Sequence, residues 1–131
     1  MATEKVLYLS LTEAVKFHIL YMRKIGETRI GVFDKNLIES ALARPRQAAV
    51  YENADLVRQA ATLCFGLIKN HPWQGGNKRT ATFLTNLFLK RNGFKIAAPT
   101  NNIIEMVLAV ESNLWKVDEI EDWLRLHVEK R

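Results

Sequence analysis

The sequence predicts an all-α fold, a compact bundle of about six helices. Three observations carry this. Apolar residues recur at helical spacing in successive segments, and capping residues stand where those segments open. Two central segments are apolar around most of the helix axis, as helices in the middle of a bundle are. The three prolines and six glycines are sparse and, Gly66 apart, fall at segment ends.

Val6–Leu9 is a short apolar run that reads as at most one strand. Ser10-Leu11-Thr12-Glu13 matches a capping box, with the serine as N-cap and the glutamate three residues on. The helix it opens carries Val15, Ile19, Met22 and Ile25 on one stripe, and Gly26 ends it. Asp34 caps a second helix bearing Leu37, Ile38, Ala41 and Leu42, and Pro45 stops it. Arg46 to Asn53 show no helical pattern and read as a loop or small hairpin. From Asp55 to Asn70 the apolar positions nearly encircle the axis. After the break at His71–Gly76, a second long helix runs from Asn77 to Asn92 with Phe83, Leu84, Leu87 and Phe88 inward and Gly93 at its end. Lys95–Ala98 reads as extended. Thr100 or Asn101 opens a helix through Ile103, Ile104, Val107 and Leu108. Asp118 and Glu121 form a capping box for the last one, which carries Ile120, Trp123, Leu124 and His127 or Val128 on one face.

A chain of 131 residues fits one domain, 1–131. Hydrophobic residues at 48% and charged residues at 25% are globular proportions, so disorder is excluded. No apolar run approaches the roughly 18 residues of a membrane span. Met1-Ala2-Thr3-Glu4-Lys5 leads into no signal-type apolar core. The single cysteine, Cys64, excludes an internal disulfide and a cysteine-based metal site, and it reads as a small buried hydrophobe. A reducing cytoplasm is the expected compartment. Nineteen basic against fourteen acidic residues leave a net charge of +5, which admits a phosphate-bearing ligand, a nucleic acid or an acidic protein partner.

Chemistry concentrates between Asn70 and Thr80, a polar, glycine-rich stretch set between the two most apolar helices. Gly75 and Gly76 let the backbone take positive φ and approach a ligand closely. The helix starting near Asn77 points free N–H groups and its positive dipole end back at this loop, a ready anion site. Asn77 can cap that helix or donate its amide to a phosphate oxygen. Lys78 and Arg79 add two cations, the arginine able to bind two oxygens at once. His71 stands just before the loop, and an imidazole ordinarily titrates near pH 6.5, which suits a general base. Pro72 disfavours helix at His71. Trp73 reads as a core anchor holding the loop down, with base stacking as the alternative. Plain turn chemistry with two solvated cations is the bland reading of the same residues. His18 and His127 read as core or boundary histidines, and no pair of histidines has metal-ligand spacing.

The run His71-Pro72-Trp73-Gln74-Gly75-Gly76-Asn77-Lys78-Arg79-Thr80 resembles the signature of the Fic/Doc family in its Doc (death-on-curing) branch. The pattern there is His-Pro-Phe, any residue, an acid, Gly or Ala, then Asn-Lys-Arg. Leu9-Ser10-Leu11-Thr12-Glu13-Ala14 is similar to the family's opening. Gly31-Val32-Phe33-Asp34 with the segment Leu37–Pro45 is similar to the stretch before its flap, and Arg91-Asn92-Gly93-Phe94 to its close. The resemblance covers most of residues 7 to 98. AMP-transferring members usually carry Gly-Asn-Gly-Arg and a second arginine three residues later; Lys78 and Thr82 stand at those positions here and favour the Doc type.

The resemblance implies a toxin that transfers the ATP γ-phosphate to a hydroxyl of elongation factor Tu and is neutralised by a cognate antitoxin. It makes His71 the base and places the phosphates on Gly76, Asn77, Lys78 and Arg79, with Arg79 sharing in catalysis. It makes residues 46–53, with Ala48, Ala49, Val50 and Tyr51, the flap that docks the target segment as an added strand. Two rival readings stand beside it: a non-catalytic binding protein on the same scaffold, acting through an antitoxin or on nucleic acid through its basic face, and a nucleotidyl (AMP) transferase; nucleic acid is not an expected direct partner of the toxin.

One position departs from the pattern. The family's acid, a Mg²⁺ ligand, is replaced by Gly75, which offers no oxygen. The replacement fits a detoxified variant, a homologue of low activity, or metal held by phosphates and another carboxylate such as Glu52 or Asp55. The first two are favoured, so the expectation is a weakened or inactive chain that binds nucleotide weakly and transfers phosphate far more slowly than its Gly75→Asp form. The family's inhibitory helix, with Ser or Thr four residues before Glu, has its nearest match at Glu52-Asn53. There Ala48 stands in the hydroxyl position, so self-inhibition is not expected.

Overall fold

A computed structural model describes residues 5–131; the signal-peptide reading rests on Met1–Glu4, outside the described residues. Six helices run in order α1 (Leu11–Lys24), α2 (Lys35–Glu52), α3 (Leu56–Asn70), α4 (Asn77–Arg91), α5 (Thr100–Glu111) and α6 (Val117–His127). Two short strands, β1 (Phe94–Ile96) and β2 (Val128–Lys130), pair antiparallel with Phe94 opposite Lys130 and Ile96 opposite Val128. The predicted all-α bundle is the observed one.

Helix α3 is the axis of the bundle and packs on α2, α4, α5 and α6. Its run of buried residues, Gln59–Cys64 with Gly66, Leu67 and Ile68, follows from apolar residues on nearly every face. Asp55 caps it, accepting the Arg58 N–H at 2.9 Å. Helix α4 lies alongside and buries Leu84, Phe88 and Leu89. Leu63, Leu67, Phe88, Met106, Val110, Ile120 and Leu124 join these into one core.

The capping box at Ser10 forms in both directions, and Gly26 follows the end of α1 with φ +77°. The buried stripe of α1 is Ala14, His18 and Met22, not Val15, Ile19, Met22 and Ile25. It is rotated because His18 goes inside, and Ile25 is exposed at the helix end.

Four further expectations are corrected. Val6–Leu9 is not a strand; the Asn92 side chain accepts from Leu7 N–H (2.9 Å) and donates to Leu7 C=O (3.0 Å), supplying the pairing a strand would need. Pro45 does not stop α2, which continues to Glu52 and ends only at Asn53 in the left-handed conformation (φ 53°). Proline removes one helical hydrogen bond, but Pro45 and Ala48 are both buried, and that burial offsets the loss. Asp118 and Glu121 do not cap α6. Lys116 is its N-cap residue, Glu119 accepts the Lys116 N–H at 2.7 Å, and Asp118 and Glu121 both hold Arg58. Val128 leaves the helix and pairs with Ile96, placing β2 beside the predicted extended piece.

Candidate active site

The motif loop is held from below and from the side. At the end of α3, His71 takes the left-handed conformation (φ 47°, ψ 54°) and turns the chain out of the right-handed helix, which the following proline disfavours at this residue. Trp73 is buried and stacks on His18 with ring centroids 4.2 Å apart. It is the core anchor the sequence predicts. His18 is wedged between elements: Gly31 N–H donates to its Nε2 at 3.1 Å, and its Nδ1 lies 2.9 Å from Thr80 Oγ1. Burial pushes its pKa down to about 4.

Asn77 differs from expectation. Its side chain accepts the Trp73 N–H at 2.9 Å and donates to the Trp73 C=O at 3.1 Å, bracing the loop instead of waiting for a phosphate. The cap of α4 is Gly76, with φ +65° and no side-chain hydrogen bond. Thr80 N–H is the first to bond back into α4, at 2.8 Å to Gly76 C=O, so the amides of Asn77, Lys78 and Arg79 precede any helical acceptor. This is the uncapped, positively polarised helix start that the sequence implies.

Gly76 takes the predicted positive φ, and any Cβ there would lie 2.3 Å from Met22 Sδ. Gly75 does not. Its φ lies outside the left-handed region, and the reason for glycine is space. A Cβ there would fall 2.7 Å from both Arg29 Cβ and Arg29 C=O.

These residues line an open cleft of about 450 Å³ together with Glu27, Arg29, Gln74 and Glu111. His71 is half exposed, and Lys78 and Arg79 reach solvent. A roomier hollow of about 680 Å³, bordered by Tyr8, Glu13, Arg46 and Arg91, contains none of the motif residues. The sequence reading missed Glu27, Arg29 and Glu111. Glu111, at the end of α5, sets Oε2 3.6 Å from His71 Nε2 and Oε1 3.4 Å from Lys78 Nζ. Glu27 accepts the N–H groups of Thr28 and Arg29; the Arg29 amide is the main cause of its lowered carboxyl pKa, and Arg29 and Arg79 charges add to it.

The predicted flap is absent from this cleft. Ala48 is buried on α2, and Ala49, Val50 and Tyr51 are helical, so none can pair with an added strand. The extended chain beside the motif is instead Gly31–Phe33. Phe33 and Asp34 N–H donate to Pro72 C=O, Gln74 N–H donates to Gly31 C=O, and Val32 bridges Trp73.

The residues present do not suit Mg²⁺. Position 75 brings no oxygen, and the two carboxylates that line the cleft, Glu27 and Glu111, each sit against cations. Glu52 is committed to Arg58, and Asp55 to Arg125 and the cap of α3; neither lines the cleft.

A six-helix bundle with an imidazole at the mouth of an amide-and-cation cradle has the architecture of a Fic-type domain. The Fic/DOC family profile matches residues 8–89, and the chain belongs to that family. It is similar to "Protein kinase doc" of Escherichia phage P1, 25% identical over 119 residues that cover 90% of this chain and 93% of that protein. It is also similar to "Toxin Doc" of Mycolicibacterium smegmatis, 43% identical over 76 residues covering 56% of each chain. Among solved structures, the N-terminal Fic domain of a cell filamentation protein (a VirB-translocated Bep effector) from Bartonella quintana superposes with a TM-score of 0.52. At 17% identity, over 84% of this chain and 54% of that one, this likeness speaks for the fold. The described helices include none long and apolar enough to cross a membrane.

Proposed function

We propose that the chain is a Doc-type toxin that transfers the ATP γ-phosphate to a hydroxyl of elongation factor Tu, restrained by a cognate antitoxin. The observation that carries this is the solvent-reachable His71 imidazole beside the uncapped start of α4, with Lys78 and Arg79 on the same cleft. The phosphotransferase and toxin named among its relatives support the same reading.

The backbone amides opening α4 and the two cations hold the polyphosphate. His71 takes the proton as the target oxygen attacks the γ-phosphorus. A new P–O bond forms to the target, the bond to the β–γ bridging oxygen breaks, and ADP carries away the electron pair. Positioning and charge neutralisation are the main contributions a protein makes to such a transfer. Asn77 supports them indirectly by locking Trp73.

The test is transfer of labelled γ-phosphate from ATP to purified elongation factor Tu. Wild type is expected to label it, and His71→Ala to reduce labelling by about 10²-fold or more, the usual contribution of a general base. Equal labelling by the two would refute the role of His71.

A further inference from the structure

The space at position 75 is already taken. The Arg29 carbonyl and Cβ close to 2.7 Å of any Cβ built there, and Arg29 Nε lies 3.2 Å from the same point. The carbonyl cannot be moved by trimming a side chain. Arg29 is placed by local bonds: Glu27 accepts its N–H at 3.1 Å, and two residues on, Gly31 is fixed to His18 Nε2 and to Gln74 N–H. Its side chain is 72% exposed along the cleft that Lys78 and Arg79 share.

We propose that this chain holds polyphosphate with its own cations in place of a carboxylate-bound Mg²⁺. The 27–31 segment fills the volume an acid at position 75 would need, and it sets the Arg29 guanidinium beside Lys78, Arg79 and the amides of α4. The inference rests on the reading of the cleft as a polyphosphate site. Gly75 is then part of a fitted pair with Arg29, and an aspartate introduced there does not recreate a metal site. This reverses the sequence-based expectation that Gly75→Asp gains activity. A guanidinium suits the exchange, because it stays charged at every working pH and binds two phosphate oxygens in a fixed fork.

Calorimetric titration with inorganic tripolyphosphate, in EDTA and in excess Mg²⁺, tests it. Wild type is expected to bind in EDTA, with no strengthening by Mg²⁺. Arg29→Ala should bind about tenfold more weakly in both buffers, the scale of one charge-assisted contact. Gly75→Ala and Gly75→Asp should both melt several degrees lower than wild type, since the obstacle is the Cβ itself, and Gly75→Asp should gain no Mg²⁺ dependence. Binding by wild type only with Mg²⁺ would overturn the proposal and leave the phosphotransferase reading standing. So would undiminished binding by Arg29→Ala, or a Gly75→Asp form of unchanged Tm whose binding Mg²⁺ strengthens. A wild-type chain that binds tripolyphosphate in neither buffer removes the polyphosphate reading itself.

Discussion

Glu111 puts a negative charge where a polyphosphate would arrive. Its two oxygens stand 3.4 Å from Lys78 Nζ and 3.6 Å from His71 Nε2, the second too long for a direct hydrogen bond. Both side chains of the Lys78 pair are substantially exposed, at 50% and 32%, so the attraction between them is worth about 1 kcal/mol at most. An incoming phosphate must share Lys78 with this carboxylate. Glu111→Gln is therefore expected to tighten ATP binding a few-fold at low salt, up to about 1 kcal/mol. The gain should fade as ionic strength rises. Titrations at two salt concentrations check this; identical affinities for wild type and variant would mean that Glu111 does not compete. Glu111 could not be found from the sequence, because it belongs to a different helix from the motif and only packing brings them together. His71, Gly76, Lys78 and Arg79 were legible because they are contiguous and their chemistry is local. Asn77 was half legible: the sequence shows an amide at a helix start, but not that Trp73 has already engaged it.

At the scale of elements, α2 is the instructive case. Its second half lacks an apolar stripe and follows a proline, so local rules stop it at Pro45. Tertiary packing overrides them: Ala48, a full turn past the proline, is buried, whereas Val50 is 69% exposed. The two readings of residues 46–53 differ in a measurable way. A helix packed at Ala48 predicts that Ala48→Asp, which buries an unpaired charge, costs several kcal/mol, while Val50→Asp stays within about 0.5 kcal/mol of wild type. A flap loop predicts small changes for both. Urea denaturation of the two variants decides between them. The elements that were legible had side chains bonding to their own termini, as at Ser10 and Asp55. The three-residue strands were harder to read because β2 forms only where the end of α6 meets β1.

For the whole molecule, His18 is the joint through which three parts meet. It sits on α1, accepts the Gly31 N–H from the segment carrying Arg29, reaches Thr80 on α4, and stacks under Trp73 of the motif loop. With Gly31 donating to Nε2, the hydrogen belongs on Nδ1, and the ring must be neutral. Burial depresses its pKa to about 4, against about 6.5 in the unfolded chain. Above pH 6.5 neither state binds the proton, and the full stability is present. As pH falls from 6.5 toward 4, the unfolded chain takes up a proton that the folded chain refuses, so stability declines through that window. One such group lowers it by about 2 kcal/mol between pH 7 and pH 5, an order-of-magnitude value. Urea unfolding at those two pH values should show the loss, and His18→Gln should flatten the slope; an unchanged slope would place the titration elsewhere. Protonation also cancels the acceptor for Gly31 N–H, so the strap over Gly75 loosens before the core does. On the reading of Arg29 as a phosphate cation, tripolyphosphate binding should therefore weaken on acidification while α-helical circular dichroism is still intact.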